Sequence, residues 1–187
     1  MKIALCGKMR SGKDTVAEIL SDEYDFTEFK LSSGIKSIIQ ELHLGDMYTK
    51  KNRGLYQSIG QYMRRFDEDV WCKRTLKDIE AFNHYVVGSF QKNHIENTVI
   101  SDVRQQNEVD FFREKGFVIV KVVADDKLRL QRIKDAGDIM MQKDFYHETE
   151  KSVDGIEADY TIFNNGTLED LNDSVNVLAK EIKKRSE

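Results

Sequence analysis

Short apolar runs alternate with stretches in which apolar residues recur at helical spacing. The runs have the length and β-branched content of buried strands, and the stretches have the period of amphipathic helices. The predicted strands are residues 2–6, 97–101, 117–124 and 159–163. The predicted helices are residues 13 onward, 107–116, 126–137 and about 167–184. Strands separated by helices of this length predict βαβ units, and therefore an α/β fold with a parallel sheet and helices on both faces.

The pattern changes between the first helix and residue 97. Apart from a short strand predicted within residues 26–31, this region is polar and helical, and Leu55, Ile59 and Met63 recur at helical spacing. We therefore expect a single domain over residues 1–187, with a helical insertion at about residues 30–95.

Composition narrows the class of protein. The 187 residues are 40% hydrophobic and 33% charged, as in a globular protein, and no apolar run approaches the length of about 20 residues that crosses a bilayer. The net charge of -4 does not suit an indiscriminate nucleic-acid binder. The N-terminus lacks the features of a signal peptide, so a cytoplasmic protein is expected, with Cys6 and Cys72 as reduced thiols.

The clearest chemical signal is the segment that joins the first strand to the first helix. Residues 7–13, GKMRSGK, fit the spacing G-x-x-x-x-G-K and are called the phosphate loop below. Such a turn directs backbone N–H groups and a helix N-terminus toward one point, and it predicts a phosphate site. Lys13 is expected to reach the β- and γ-phosphates, and Thr15 can offer its hydroxyl. The alternative is a glycine turn without a ligand.

Two carboxylates are candidates for Mg²⁺. Asp14 stands where a serine or threonine hydroxyl usually serves the metal, and a carboxylate can do so directly or through water. Its alternative role is compensation of the helix N-terminal charge. Asp102 follows the strand 97–101, where nucleotide-binding sheets place a carboxylate that organises Mg²⁺. Its alternative role is to cap the next helix.

Three arginines are candidates for contacts with phosphate. Arg104 lies near Asp102 and can bind an acceptor phosphate with both guanidinium nitrogens, or it is a solvated surface residue. Arg129 and Arg132 are three positions apart on one predicted helix. They either close over the transferred phosphoryl group as part of a lid or form a solvated face.

Five segments in order carry a resemblance to a known family. They are GKMRSGKDT, LSSGIKSII, IGQYMRRFDEDVW, ISDVRQQNEVDFFREKG and DYTIFNNGTLEDL. With them the chain resembles the phage and bacterial deoxynucleoside monophosphate kinases of the P-loop kinase superfamily. The resemblance implies Mg²⁺-assisted transfer of the ATP γ-phosphoryl group to a (deoxy)nucleoside monophosphate. It also implies a core sheet, a helical insertion that binds the monophosphate, and a small lid, placed at about residues 127–150.

The resemblance also implies residue roles. Lys36 and Arg64 would hold the acceptor nucleotide, and Trp71 would pack near its base or support that wall; without the resemblance, Lys36 is a polar helix position and Trp71 a core residue. An aspartate at position 14 is ordinary in this family. The expected catalytic residues are Lys13, Asp102, Arg104 and Arg132, and the expected Mg²⁺ ligands are Asp14 and Asp102. The expected ATP-binding residues are Gly7, Arg10, Ser11, Gly12, Lys13, Asp14 and Thr15. The expected acceptor-binding residues are Lys36, Arg64, Trp71 and Arg104.

Two other functions remain open at this point. A kinase of similar build could act on phosphomevalonate or dephospho-coenzyme A, or the protein could bind nucleotide without catalysis. A nucleotide acceptor calls for aromatic and amide groups such as Trp71, Tyr62 and Gln57, whereas phosphomevalonate calls mainly for cations. The expected partner is a small-molecule (deoxy)nucleoside monophosphate, with no nucleic acid and no membrane, and a homodimer stays open.

Overall fold

The computed structural model describes residues 1–44, 53–90, 97–136 and 152–186. The strands there are β1 (Lys2–Cys6), β2 (Thr27–Phe29), β3 (Thr98–Val103), β4 (Val118–Val123) and β5 (Tyr160–Phe163). The helices are α1 (Lys13–Tyr24), α2 (Leu31–Glu41), α3 (Arg53–Arg64), α4 (Val70–Phe90), α5 (Gln106–Glu114), α6 (Asp126–Asp135) and α7 (Leu168–Ser186). A 3₁₀ turn spans Val153–Gly155.

The strands form one sheet in the order β2-β3-β1-β4-β5. β1 pairs in parallel with both β3 and β4, and β4 pairs in parallel with β5. Parallel neighbours need crossover connections, which α1, α5 and α6 help to supply. The α/β fold class predicted from the sequence is therefore confirmed.

Helices cover both faces of this sheet. Since successive side chains of a strand point to opposite faces, the complete burial of Ile119 and Val120 shows that β4 is covered on both sides. One face packs against α1 and α7 in a single apolar cluster. This cluster includes Ile3, Leu5, Val16, Leu20, Val120, Val122, Val175 and Leu178. On the other side, α5 lies against β4 and buries Phe112, whose ring meets Phe117 edge-on at 5.2 Å.

Most predicted boundaries hold to within one or two residues, and two differences affect the candidate site. β3 continues to Val103, so Asp102 lies within the strand rather than after it. The N-cap of α5 is Gln105, which forms a reciprocal capping box with Glu108. The alternative role of Asp102 as the cap of this helix is therefore wrong. Residues 137–150, which make up much of the predicted lid, lie outside the described residues.

The chain divides into two compact units, which we describe separately. The core unit comprises Met1–Glu28 with Glu96–Glu187, and the helical unit comprises Phe29–Ile95. The core unit contains the phosphate loop and nearly all of the sheet, whereas the helical unit contains α2, α3 and α4. Within the described residues, no helix is long and apolar enough to cross a membrane.

Both cysteines are buried free thiols. Burial raises the pKa of the Cys6 thiol to about 11, so this side chain at the end of β1 stays protonated at neutral pH. Cys6 therefore acts as a small apolar residue of the sheet.

Candidate active site

The phosphate loop joins β1 to α1 through backbone conformations that favour glycine. Gly7 has φ of 153°, Gly12 has φ of 105°, and Arg10 between them has φ of 60°. Gly12 is also the N-cap of α1, and no side chain caps this helix end. An uncapped N-terminus leaves backbone N–H groups that a phosphate can satisfy.

Close packing explains why the two glycines occupy their positions. A Cβ atom on Gly7 would overlap the Val122 carbonyl oxygen in β4, and a Cβ atom on Gly12 would overlap the side-chain amide of Asn164. Positive φ adds conformational strain for any other residue. The G-x-x-x-x-G spacing is thus a requirement of this fold as well as of a ligand.

Lys13 lies across the loop instead of extending into solvent. Its side chain is 6% exposed, and its Nζ donates hydrogen bonds to the carbonyl oxygens of Gly7 at 2.8 Å and Lys8 at 2.9 Å. The loop carbonyls therefore hold a positive charge directly against the phosphate loop. A phosphate bound there would gain a charge-assisted hydrogen bond from this ammonium.

Helix α6 contacts the loop through both of its arginines. Arg129 is 1% exposed, and its Nε donates to the Met9 carbonyl at 2.8 Å while its Nη1 pairs with Asp126 at 2.6 Å. The alternative that Arg129 belongs to a solvated face is therefore wrong. Arg132 is half-buried and donates to the Arg10 carbonyl at 3.3 Å, and burial lowers the pKa of its guanidinium.

Asn164, directly after β5, completes the surroundings of the loop. Its Nδ2 donates to the Ser11 carbonyl at 2.9 Å, and its Oδ1 accepts from Arg132 at 3.2 Å. Its backbone N–H donates to the Val123 carbonyl at 2.7 Å, which ties it to the end of β4. On the side where Asn164 lies, the phosphate loop is therefore contacted by residues that are more than 100 positions away in the sequence.

The two candidate Mg²⁺ ligands belong to elements at the loop end of the sheet. β1 and β3 are parallel neighbours with Cys6 opposite Val103, so Asp102 lies at the edge where the phosphate loop begins. Asp102 is half-buried, and Asp14 is exposed in the first turn of α1 beside the half-buried Thr15. Among the described residues, no group of three or more His, Cys, Asp or Glu side chains could hold a metal alone. Mg²⁺ in kinases needs only one or two carboxylates, since phosphates and water complete its shell, and this donor set fits it.

Arg104 follows β3 and is half-buried. Its backbone N–H donates to the Glu108 carboxylate at 2.8 Å, and its carbonyl oxygen accepts from the Ser152 hydroxyl at 2.9 Å. Glu108 is 1% exposed and also accepts the Gln105 N–H at 3.1 Å. A buried carboxylate thus fixes the backbone that carries Arg104.

The predicted acceptor residues of the helical unit have different surroundings. Lys36 is exposed on α2, and Arg64 is half-buried at the end of α3. Trp71 is 3% exposed, donates its indole N–H to the Gly60 carbonyl at 3.1 Å, and lies with its ring close to Gly34. Exposed aromatic side chains of this unit include Tyr62 on α3, which is 56% exposed, and Phe66 just beyond it, which is 75% exposed. On α4, Tyr85 is 60% exposed.

Sequence reasoning did not assign Asn164, Glu108 or the buried position of Arg129. Arg129 lies four positions before the apolar Ile133 on α6, so the two share one face of the helix, and this spacing was the sequence signal for a buried arginine. The Gln105–Glu108 spacing was a capping signal. For Asn164, the only signal in the sequence was its position at the carboxyl end of a predicted strand, which is where parallel sheets bind ligands.

A family comparison matches most of the chain. The sequence model described as "AAA domain" matches residues 3–154, and the chain belongs to this family. Combined with the parallel sheet and the lysine-bearing phosphate loop, the match identifies a P-loop kinase, and hence a phosphotransferase.

Two curated proteins resemble the chain over most of its length. A protein of Acanthamoeba polyphaga mimivirus named "Putative deoxynucleotide monophosphate kinase" is 28% identical over 184 residues, covering 81% of this chain and 95% of its own. The "Dephospho-CoA kinase" of Protochlamydia amoebophila is 26% identical over 206 residues, covering 97% of this chain and 96% of its own.

Solved structures share the fold. A sugar kinase from a Janibacter species superposes with a TM-score of 0.54 at 13% identity, covering 94% of this chain and 92% of that one. Shikimate kinase from Bacteroides thetaiotaomicron superposes with a TM-score of 0.53 at 16% identity, covering 98% of both chains. At this identity the likeness concerns the fold alone.

Proposed function

We propose that the protein transfers the γ-phosphoryl group of ATP to a (deoxy)nucleoside monophosphate, giving the diphosphate and ADP. The observation that carries the donor half is the phosphate loop with Lys13 held against it, beside Asp102 at the edge of a parallel sheet. The resemblance to deoxynucleoside monophosphate kinases supports the acceptor half, as does the likeness to the mimivirus protein.

On the donor side, the protein contributes charge and orientation. The backbone N–H groups of the phosphate loop and the Lys13 ammonium would hold the β- and γ-phosphates, together with Arg10 and Ser11 of the same loop. Arg132, which donates to the Arg10 carbonyl, would add a further positive charge. Asp14 and Asp102 would hold Mg²⁺, which when bound neutralises phosphate charge. These groups stabilise the charge that spreads over the transferred phosphoryl group.

On the acceptor side, the chemistry requires cations that bind phosphate and does not require a general base. A phosphate oxygen of the acceptor attacks the γ-phosphorus, the bond to the bridging oxygen breaks, and ADP leaves with the electron pair. A phosphate is already ionised at neutral pH, so no proton must be removed. Lys36, Arg64 and Arg104 are proposed to bind this phosphate. Tyr62 and Gln57 supply an aromatic and an amide group of the kind that binds a nucleobase.

A second candidate is phosphorylation of dephospho-coenzyme A, because the Protochlamydia relative aligns with nearly the whole chain. That acceptor presents a hydroxyl group, which must lose a proton during transfer. Asp102, half-buried at the end of β3, would then act as the general base. The two functions therefore differ in what they require of the same carboxylate.

A coupled assay of ADP release separates these functions. The protein with Mg²⁺ and ATP is presented in parallel with deoxynucleoside monophosphates, ribonucleoside monophosphates, dephospho-coenzyme A and phosphomevalonate. We expect release with at least one deoxynucleoside monophosphate. Release with dephospho-coenzyme A alone would establish the second candidate, and no release with any acceptor would favour a binding protein.

The Asp102→Asn variant sharpens this assay. If the acceptor is a phosphate, loss of the carboxylate weakens Mg²⁺ binding, and higher Mg²⁺ concentrations recover turnover. If the acceptor is a hydroxyl, the lost base is not replaced by metal, and turnover stays low at every Mg²⁺ concentration.

A further inference from the structure

Three consecutive carbonyl oxygens of the phosphate loop are held by side chains from outside the loop. The Met9 oxygen accepts from Arg129 at 2.8 Å, the Arg10 oxygen from Arg132 at 3.3 Å, and the Ser11 oxygen from Asn164 at 2.9 Å. The donors lie more than 100 positions further along the chain, on α6 and directly after β5. We call these three donors the carbonyl clamp.

Peptide geometry gives the clamp a consequence for phosphate binding. In a planar trans peptide, the C=O of one residue and the N–H of the next point in opposite directions. Fixing the carbonyls of Met9, Arg10 and Ser11 therefore fixes the N–H directions of Arg10, Ser11 and Gly12. The Ser11 N–H closes a turn on the Lys8 carbonyl at 3.2 Å, which further restricts the loop.

Burial shows that two members of the clamp are built into the fold. Arg129 is 1% exposed, and its charge is paired with Asp126, as a buried guanidinium requires. Asn164 is 6% exposed, and its amide occupies the space that a Cβ atom on Gly12 would need. The absence of a side chain at Gly12 thus makes room for the Asn164 amide, which donates its hydrogen bond to the carbonyl of the preceding residue, Ser11.

We propose that Arg129 and Asn164 are positioning residues that hold the phosphate loop in its nucleotide-binding conformation before nucleotide arrives. The part that concerns nucleotide rests on the proposed function. A loop ordered in advance loses less conformational entropy on binding, and its dipoles need no reorganisation when charge develops. Removing either residue should therefore weaken binding of ADP and ATP, although neither is proposed to bind the acceptor.

The first test needs no ligand. Hydrogen exchange of the ligand-free protein is followed in peptides covering residues 7–13, for Arg129→Met and Asn164→Ala. We expect loop amides to exchange about tenfold faster in both variants, because each variant removes a hydrogen bond that holds the loop. Arg113→Met is the matched control, because Arg113 donates to the Glu157 carbonyl at 2.8 Å rather than to the loop. Unchanged loop exchange in both folded clamp variants would overturn the proposal.

The second test measures nucleotide binding and kinetics. We expect the Kd for ADP and the KM for ATP to rise about tenfold in both clamp variants, with the acceptor KM unchanged. The Arg129→Lys variant keeps a charged donor and should recover part of this loss; it also carries the test if Arg129→Met fails to fold. A lower melting temperature with unaltered ADP affinity would show a merely structural role. If the wild type binds no adenine nucleotide, the proposed function fails, while the exchange experiment still decides whether the clamp orders the loop.

Discussion

The phosphate loop and the helical unit hold their predicted binding residues in different ways. In the loop, Gly7 and Gly12 set the backbone, and Lys13 lies on carbonyl oxygens of the loop itself. In the helical unit, the three residues predicted from the resemblance to bind the acceptor range from the exposed Lys36 to the buried Trp71. Main-chain geometry fixes the phosphate loop, whereas the surroundings of each predicted acceptor residue depend on how the side chains of the helices pack.

This difference teaches why the donor is easier to infer than the acceptor. A phosphate bound by backbone N–H groups requires glycines at fixed spacing, and this spacing is visible in any single sequence. A base and a sugar are recognised by side chains whose role depends on which neighbours surround them. The names of the two curated relatives differ in this respect, since one names a deoxynucleotide monophosphate and the other names dephospho-coenzyme A.

The largest effect is expected at Lys13. Lys13→Ala removes the ammonium proposed to stabilise the transferred phosphoryl group, and turnover should fall by about 100-fold or more. ADP release at saturating ATP measures this loss, and circular dichroism checks the fold. Lys2→Ala, at the exposed first position of β1, is the control and should keep wild-type turnover. Equal turnover in Lys13→Ala and wild type would show that the phosphate loop is not part of the active site.

A smaller but still large effect is expected at Gly12. Gly12→Ala places a methyl group where the Asn164 amide lies and imposes positive φ on a residue with a side chain. We expect a loss of about 1–3 kcal/mol in unfolding free energy and a clear rise in the ATP KM. Gly116→Ala is the matched control, since it too has positive φ, of 78°, but has open space around its Cβ position. If both variants behave alike, strain rather than contact with Asn164 explains the loss.

The sequence predicted the core of the molecule well because its signals are local. The apolar runs marked β1, β3, β4 and β5, and the glycine spacing marked the loop, since strand burial and turn geometry depend on neighbouring residues. The bounds of α5 and α6 differed by only one or two residues.

The clamp and the acceptor residues could not be predicted in the same way. Asn164 meets Ser11 across 153 positions, and no local pattern announces such a pairing. Arginine is a residue type found mostly at protein surfaces. Arg129 shares a helix face with Ile133, but its burial depends on its bonds to Asp126 and to the Met9 carbonyl, which the sequence does not show. The roles of Lys36, Arg64 and Trp71 came from resemblance, and they stay predictions.

Arg64 offers a way to sharpen the comparison from the helical side. Arg64→Ala should raise the KM for the nucleoside monophosphate by about tenfold or more, because a charge-assisted contact with phosphate is lost, and leave the ATP KM unchanged. Steady-state kinetics with each substrate varied in turn measures both constants. Arg74→Ala is the control, since Arg74 pairs with Asp78 within α4. An equal rise in both KM values would show that Arg64 does not act specifically in binding the acceptor.

The smallest effect is expected at Trp71, where the two proposed roles diverge. Trp71→Phe keeps an aromatic ring but loses the hydrogen bond to Gly60, so unfolding free energy should fall by about 1 kcal/mol, with both KM values within about twofold. Denaturant unfolding and steady-state kinetics measure the two quantities. Because Trp71 is the single tryptophan of the chain, its fluorescence in the wild type reports on this position alone. Strong quenching by a nucleoside monophosphate, with a large rise in its KM in Trp71→Phe, would show that the ring meets the base. A stability loss without either change would mean that Trp71 supports the helices that carry the acceptor residues.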